Sequence, residues 1–222
     1  MYKVSQNLLL VVLKCSHAAF HPTSMELRYN AAMTSLLDDI HSYISVDVET
    51  AGPIPSRYAL LSIGACTIGE PRQTFYVELQ PDQELEDPQA MAVHSLDLQT
   101  LKRTGLPPKD AMMKFNQWLA AVTPPGSQPL FVAFNAPFDW SFINDSFIRY
   151  LGTNPFGHSA VDIKAVYMGL SGKPWRETSG EYLHRLYNNA RVLTHNAMED
   201  AVDQAVIFEG ILADLEKMNI PD

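Results

Sequence analysis

The sequence predicts an α/β fold in which a mixed five-stranded sheet is flanked by helices. Two observations predict it. Three runs that suit strands come first, at residues 44–50, 58–68 and 74–79. Helical periodicity then alternates with two shorter strand-like runs, at 130–134 and 160–163. Strands followed by alternating helices and strands favour a single sheet that is covered by helices.

Length and composition are those of an ordinary soluble protein: 222 residues, 46% hydrophobic and 18% charged. The simplest organisation is one domain at 41–222 after an extension of uncertain role at 1–40. An apolar stretch in that extension is far shorter than the ~20 residues of a membrane span, so we expect no membrane association and a cytoplasmic location. The same stretch weakly imitates a secretory signal, which is the alternative. Cys15 and Cys66 lie too far apart to suggest a zinc site or a disulfide framework.

The end of the first strand carries two acids. Alternation places Ile44, Val46 and Val48 on one face of the strand. Asp47 and Glu49 lie on the other face. Side chains two residues apart on a strand are separated by roughly 6.6 Å, so both carboxylates can reach metal ions about 3.5–4 Å from each other. The alternative is a pair of solvated acids at a strand end.

Two later segments supply further ligands. Asp139 follows the strand at 130–134 and comes early in a helix, where the helix dipole also favours an acid. His195 precedes the final helix and Asp200 falls in its first turns. Hard cations such as Mg²⁺ prefer oxygen ligands, so carboxylates from separate elements suit a two-ion site. A neutral histidine can accept a proton near working pH, which makes His195 the candidate general base, with a helix-capping histidine as the alternative.

Other acids near these motifs compete for the same roles. Glu199 and Asp203 flank Asp200, but the offset of five residues from His195 favours Asp200. Asp203 lies almost one helical turn further along, so we expect it to face solvent. We expect Asp162 to cap a helix rather than to bind metal.

In order, the patterns Asp-x-Glu, Asn-x-x-Phe-Asp and His-x-x-x-x-Asp resemble the DEDDh branch of the 3′-to-5′ exonucleases. That family includes ribonuclease T, oligoribonuclease and the proofreading subunit of bacterial replicative polymerase. The resemblance spans roughly residues 43–216 and implies a ribonuclease H-like fold. Asn196 stands where tyrosine-type relatives carry tyrosine, which favours the histidine branch.

The resemblance also implies a catalytic site with two Mg²⁺ ions, or Mn²⁺ as a substitute. His195 would activate the attacking water. The acids that would hold the ions are Asp47, Glu49, Asp139 and Asp200.

Substrate contacts are predicted at four further positions. Many members read Glu-Thr-Thr-Gly after the first acid, whereas Thr50 and Ala51 follow Glu49 here, and both are candidates to contact the terminal nucleotide. His94 lies where the family often has substrate-facing residues, and an ordinary polar loop residue is an equal alternative. Phe138 is the candidate to stack on a nucleobase, although most aromatic residues of its segment should lie in the core.

The function implied by the resemblance is hydrolysis of phosphodiester bonds at single-stranded 3′ ends. The net charge of −9 argues against a protein that grips long duplexes through many phosphate contacts. RNA or short oligoribonucleotides are slightly preferred, because the chain is compact and has no evident polymerase-tethering tail. The alternatives are a DNA exonuclease of the proofreading or repair type and a catalytically inactive binding module of the same fold. A homodimer is one of the oligomeric states that stay open.

Overall fold

The computed structural model describes residues 42–187 and 194–219. The extension predicted at 1–40 therefore lies outside the described residues. Among the helices of the described ranges, none combines the length and the apolar character that a membrane span requires.

The sheet has five strands in the order β3-β2-β1-β4-β5. β1 pairs with β2, and β2 with β3, in antiparallel fashion, whereas the β1–β4 and β4–β5 pairs are parallel. The predicted mixed sheet of five strands is therefore confirmed. The strands are β1 (Tyr43–Thr50), β2 (Leu60–Thr67), β3 (Thr74–Glu78), β4 (Leu130–Ala133) and β5 (Ala160–Asp162).

Helices fill most of the remaining described chain, with a short 3₁₀ turn at Trp175–Glu177. They are α1 (Pro88–Met91), α2 (Leu98–Thr104), α3 (Pro108–Val122), α4 (Pro137–Leu151), α5 (Ile163–Ser171), α6 (Gly180–Tyr187) and α7 (Ala197–Asn219). The residue pattern predicts neither α1 nor α2, because both are too short to show a helical period. Side-chain caps start them: Asp87 accepts from Gln89 N–H, and Asp97 accepts from Thr100 N–H.

Helices cover both faces of the sheet. Ile44, Val46 and Val48 of β1 lie in one core with residues of α3 and α4, such as Phe115 and Phe147. A second core joins Tyr43 and Val132 to residues of α5, α6 and α7. Since side chains alternate along a strand, Asp47 and Glu49 point to the face on which α7 lies.

A glycine in β2 lets α7 approach the sheet closely. The β1–β2 register pairs Gly64 with Asp47. A Cβ atom at Gly64 would overlap the backbone of Ala197 and Met198. The first turn of α7 therefore lies directly on the sheet beside Asp47, and this contact determines where Asp200 is delivered.

Candidate active site

Three acids from β1 and α7 meet at one point. Asp47, Glu49 and Asp200 each offer a carboxylate oxygen within 4.8 Å of the others. Glu49 and Asp200 are buried and Asp47 is half-buried. The β1–β2 register shifts between Glu49 and Thr50, an irregularity of the kind that re-aims side chains. The structure thus brings together three of the four acids that the sequence analysis selects.

The fourth acid, Asp139, lies beside this cluster. It is the third residue of α4, and its Oδ1 accepts a hydrogen bond of 3.1 Å from the backbone N–H of Val48. The turn that leads into α4 is held by Asp162, whose Oδ2 accepts from Ala136 N–H over 2.8 Å. Asp162 also caps α5 through Oδ1 and Ala165 N–H, so its predicted capping role is confirmed.

Burial and crowding keep these carboxyl groups reluctant to ionise. Burial, reinforced by the charges of Asp200 and Asp139, raises the pKa of Glu49 to about 8. Burial also raises the pKa of Asp139 to about 8, against the hydrogen bond from Val48. The pKa values of Asp47 and Asp200 are raised as well, chiefly by burial, and for Asp47 also by the other three acids. Carboxylates so close together repel one another when ionised, and a bound cation would offset that repulsion.

The donor set fits divalent metal ions. Every candidate ligand is a carboxylate oxygen, and such oxygens are the ligands that hard divalent cations prefer. The ligands come from β1, α4 and α7, which the sheet and its two cores hold in place. Residues that would hold the ions are Asp47, Glu49 and Asp200, with Asp139 beside them.

The segment before α7 presents His195 next to Asp200. Asn196 caps the helix, because its Oδ1 accepts from Met198 N–H over 3.2 Å and from Glu199 N–H over 3.3 Å. His195 has a left-handed backbone with φ of 53° and an exposed side chain. The imidazole of His195 lowers the pKa of Asp200 electrostatically, and both residues line the same cavity. Thr194 N–H completes the turn by donating to Asp200 Oδ1 over 3.3 Å.

A cavity of about 520 Å³ opens over the acids, and all five predicted catalytic residues line it. Among the predicted substrate contacts, Thr50, His94 and Phe138 also line the cavity. Phe138 is 40% exposed, and the centre of its ring lies 5.4 Å from that of the Phe142 ring. An exposed aromatic face at the rim of such a cavity can stack on a base.

His94 connects its loop to the end of β1. Its Nε2 donates to Thr50 O over 3.1 Å, and its Nδ1 accepts from Leu96 N–H over 3.2 Å. Both bonds form only with the neutral ring that carries its proton on Nε2. Burial lowers the pKa of His94, which favours that neutral form. His94 therefore fixes the backbone of Thr50 at the cavity wall.

Ala51 occupies a different place from the other predicted contacts. It is fully buried in a small core with Leu61 and Leu98 and lies outside the cavity lining. Its N–H donates to Ala59 O, and its carbonyl accepts from Asp87 N–H. Any effect of Ala51 on substrate binding would pass through the position of Thr50.

Gln204 is a site residue that the sequence analysis missed. Its side chain is buried and lines the cavity. Nε2 donates to Asp47 Oδ1 over 2.6 Å, and Oε1 accepts from Phe134 N–H over 2.9 Å. The available signal was its spacing, because a residue four positions after Asp200 shares its face of the helix.

The same helix corrects an expectation. The prediction that Asp203 faces solvent is wrong, since this residue is only 1% exposed. α7 packs on the sheet with one side and on α6 with another, so more than one of its faces is buried. His184 of α6 also lines the cavity and lowers the pKa of Asp200 electrostatically.

A curated protein of similar sequence is a 3′-5′ DNA exonuclease. No protein-family model matches the chain. Cap18, a 3′-5′ DNA exonuclease of Escherichia coli, is 45% identical over 170 residues, which cover 77% of this chain and 91% of Cap18.

Solved structures share the fold at low identity. The nuclease domain of 3′hExo, a DEDDh family member bound to rAMP, aligns with a TM-score of 0.66 and 14% identity over 78% of this chain and 92% of that domain. Exonuclease X in complex with 5′-overhanging duplex DNA aligns with a TM-score of 0.54 and 18% identity, over 81% of this chain and 94% of that chain. E. coli Exonuclease I in complex with a dT13 oligonucleotide aligns with a TM-score of 0.64 and 14% identity, over 79% of this chain and 42% of that chain.

Proposed function

This chain belongs to the DEDDh family of 3′-to-5′ exonucleases, and from that premise we propose that it removes nucleotides from single-stranded 3′ ends of DNA. The exonuclease class, the ribonuclease H-like fold and the action on nucleic acid follow from the family. DNA is our proposal because the relative at 45% identity is described as a DNA exonuclease. The slight preference for RNA expected from the sequence has no support in these comparisons, and its DNA alternative is favoured.

One observation carries the proposed chemistry: three carboxylates from two separate elements, Asp47, Glu49 and Asp200, lie within 4.8 Å of one another in the cavity. We infer that these acids, with Asp139, hold two Mg²⁺ ions and that Mn²⁺ can replace them. When bound, such ions stabilise the charge that develops on the attacked phosphate and on the leaving 3′ oxygen.

The side chains of this chain then act on water and on the terminal nucleotide. His195 accepts the proton of the attacking water, as its place on the cavity wall beside Asp200 allows. Gln204 holds Asp47 in one orientation through its hydrogen bond to Oδ1. Phe138 offers a face to the terminal base, and Thr50, fixed by His94, borders the same nucleotide.

The test uses the full chain and 5′-labelled single strands of matched sequence, one DNA and one RNA, with Mg²⁺, Mn²⁺ or a chelator. We expect ladders that shorten from the 3′ end, faster cleavage of DNA than of RNA, and no cleavage with the chelator. Equal or faster cleavage of RNA would reject DNA as the preferred substrate. Light scattering of the same preparation tests the homodimer.

Two substitutions test the acids directly. Asp47→Asn and Asp200→Asn each remove a charge from the cluster with little change in shape, so hydrolysis should fall below detection. Asp110→Asn is the matched control, because Asp110 is exposed on the first turn of α3 and lies outside the cavity lining. Wild-type turnover in either cluster variant would reject the metal-site assignment.

A further inference from the structure

Lys164 brings a positive charge to an acidic cavity. Of the described residues that line the cavity, it is the one lysine or arginine, whereas four acids line the same cavity. A nucleic-acid strand carries a negative charge at every phosphate, and each phosphate that a lysine neutralises strengthens binding. The position of this cation therefore bears on how the strand lies in the cavity.

Two neighbours hold the ammonium group of Lys164 in place. Its Nζ donates to Asn135 Oδ1 over 2.9 Å and lies 4.2 Å from the centre of the Trp175 ring. Asn135 lines the cavity from the turn before α4, where its backbone is left-handed with φ of 48°. Trp175 is 50% exposed in the 3₁₀ turn after α5.

This arrangement leaves Lys164 able to bind an anion. An ammonium group has three N–H donors, and the bond to Asn135 uses one of them. A free lysine loses considerable rotamer entropy when a ligand fixes it. Contacts with Asn135 and Trp175 reduce that loss before the substrate arrives.

The place of Lys164 in the fold separates it from the metal ligands. It is the second residue of α5 and follows β5, whereas Asp47 and Glu49 are on β1. β4 lies between these strands, and two strand spacings amount to roughly 10 Å. The backbone at Lys164 therefore lies on a different part of the cavity wall from the backbone at Asp47 and Glu49, which leaves room for a second phosphate beside the one held at those acids.

We propose that Lys164 binds a phosphate of the substrate strand other than the one that is hydrolysed, with Asn135 and Trp175 as its positioning residues. This inference rests on the proposed function, since it assumes that a strand enters the cavity with its 3′ end at the acids. It adds a backbone contact that helps an acidic protein to retain a single strand.

The test compares steady-state kinetics of Lys164→Met and Lys114→Met on 5′-labelled single-stranded DNA. Both variants change the net charge equally, but Lys114 is exposed on α3 and lies outside the cavity lining. We expect Lys164→Met to raise KM roughly tenfold with a smaller effect on kcat, and Lys164→Arg to recover most of the loss. The slope of log kcat/KM against log salt should fall by about 0.7 for Lys164→Met alone.

Substrates with one neutral methylphosphonate linkage identify the phosphate that Lys164 binds. In the wild type, neutralising one linkage away from the cleaved bond should raise KM, and Lys164→Met should be insensitive to that linkage. The proposal would be overturned if no single methylphosphonate linkage away from the cleaved bond raised KM in the wild type. Equal kinetics of Lys164→Met and Lys114→Met would also overturn it. A wild type without exonuclease activity would instead reject the proposed function.

Discussion

Gln204 of α7 donates a hydrogen bond to Asp47 Oδ1 of β1 over 2.6 Å and accepts another from Phe134 N–H, just after β4, over 2.9 Å. One buried amide thereby connects a helix to two segments of the sheet. With Oδ1 of Asp47 held by an N–H donor, the carboxylate has a fixed orientation toward the cluster. Residues that orient metal ligands in this way affect metal affinity and rate without touching the substrate.

Gln204→Leu should lower kcat roughly 10–100-fold and weaken metal binding by a similar factor, because Asp47 loses its orienting donor. KM for the strand should change little. Calorimetric titration with Mn²⁺ and steady-state kinetics measure the two effects. Gln99→Leu, at an exposed position of α2, is the control and should match the wild type. Unchanged metal affinity in Gln204→Leu would show that the hydrogen bond does not position Asp47.

His195→Asn should lower kcat by roughly 10²–10⁴, the usual contribution of a general base, with the fold and metal binding retained. Its neutral side chain cannot accept the proton of the attacking water. Single-turnover cleavage across a range of pH measures the loss, and the variant should lose a limb of the wild-type profile. His158→Asn, at an exposed turn position outside the cavity lining, is the control. Retention of that limb would assign the proton transfer to another group.

The metal-free protein should lose stability as pH rises from about 4 to about 8. Glu49 and Asp139 have folded pKa values of about 8, whereas unfolded carboxyl groups titrate near pH 4. In that window the native state binds more protons than the unfolded state, so the free energy of unfolding falls with rising pH. Their contribution is fully present below about pH 4 and lost by about pH 8.

Thermal melts with chelator, at intervals from pH 5 to 8, measure this slope. Glu49→Gln should flatten it, because that variant no longer has a carboxyl group to ionise at position 49. Divalent ions should raise the melting temperature most at pH 8, where the ionised cluster binds them best. A slope identical in Glu49→Gln and the wild type would contradict the assignment of the effect to this site.

Gly64→Ala should destabilise the fold and impair catalysis, since a methyl group would overlap the backbone of Ala197 and Met198. We expect a loss of about 2–3 kcal/mol in the free energy of unfolding and a melting temperature lower by about 4–12 °C. Gly169→Ala is the control with the opposite sign: a Cβ there meets open space on α5, and alanine favours the helix. A melting temperature for Gly64→Ala at or above that of the wild type would show that α7 can shift without cost.

The strand and acid motifs were predictable because they depend on local order. Alternation along β1 puts Ile44, Val46 and Val48 in one core and turns Asp47 and Glu49 to the opposite face, as the residue pattern indicates. The three motifs in sequence also predicted the family, and that prediction is confirmed by the identity with Cap18. The assignments of individual catalytic and substrate-binding residues stay predictions.

Long-range contacts limited the prediction. Asp203 is buried although the sequence predicts it in solvent, because three residues make almost one helical turn and so place it near the face of Asp200, and α7 is buried on more than one side. Gln204 was missed because its partners, Asp47 and Phe134, lie far away in sequence. The residue pattern does not identify Lys164 either, since its contacts with Asn135 and Trp175 join three separate segments.

The sequence by itself determined the types of side chain and the elements that carry them: a strand with two acids, a helix that begins near a third, and a helix preceded by a histidine. These follow from backbone periodicity and capping, which act over a few residues. Only the tertiary structure decided that Asp200 meets Asp47 and Glu49, because that meeting requires α7 to rest on Gly64. The distance between two such elements is set by packing across the sheet, and no local pattern encodes it.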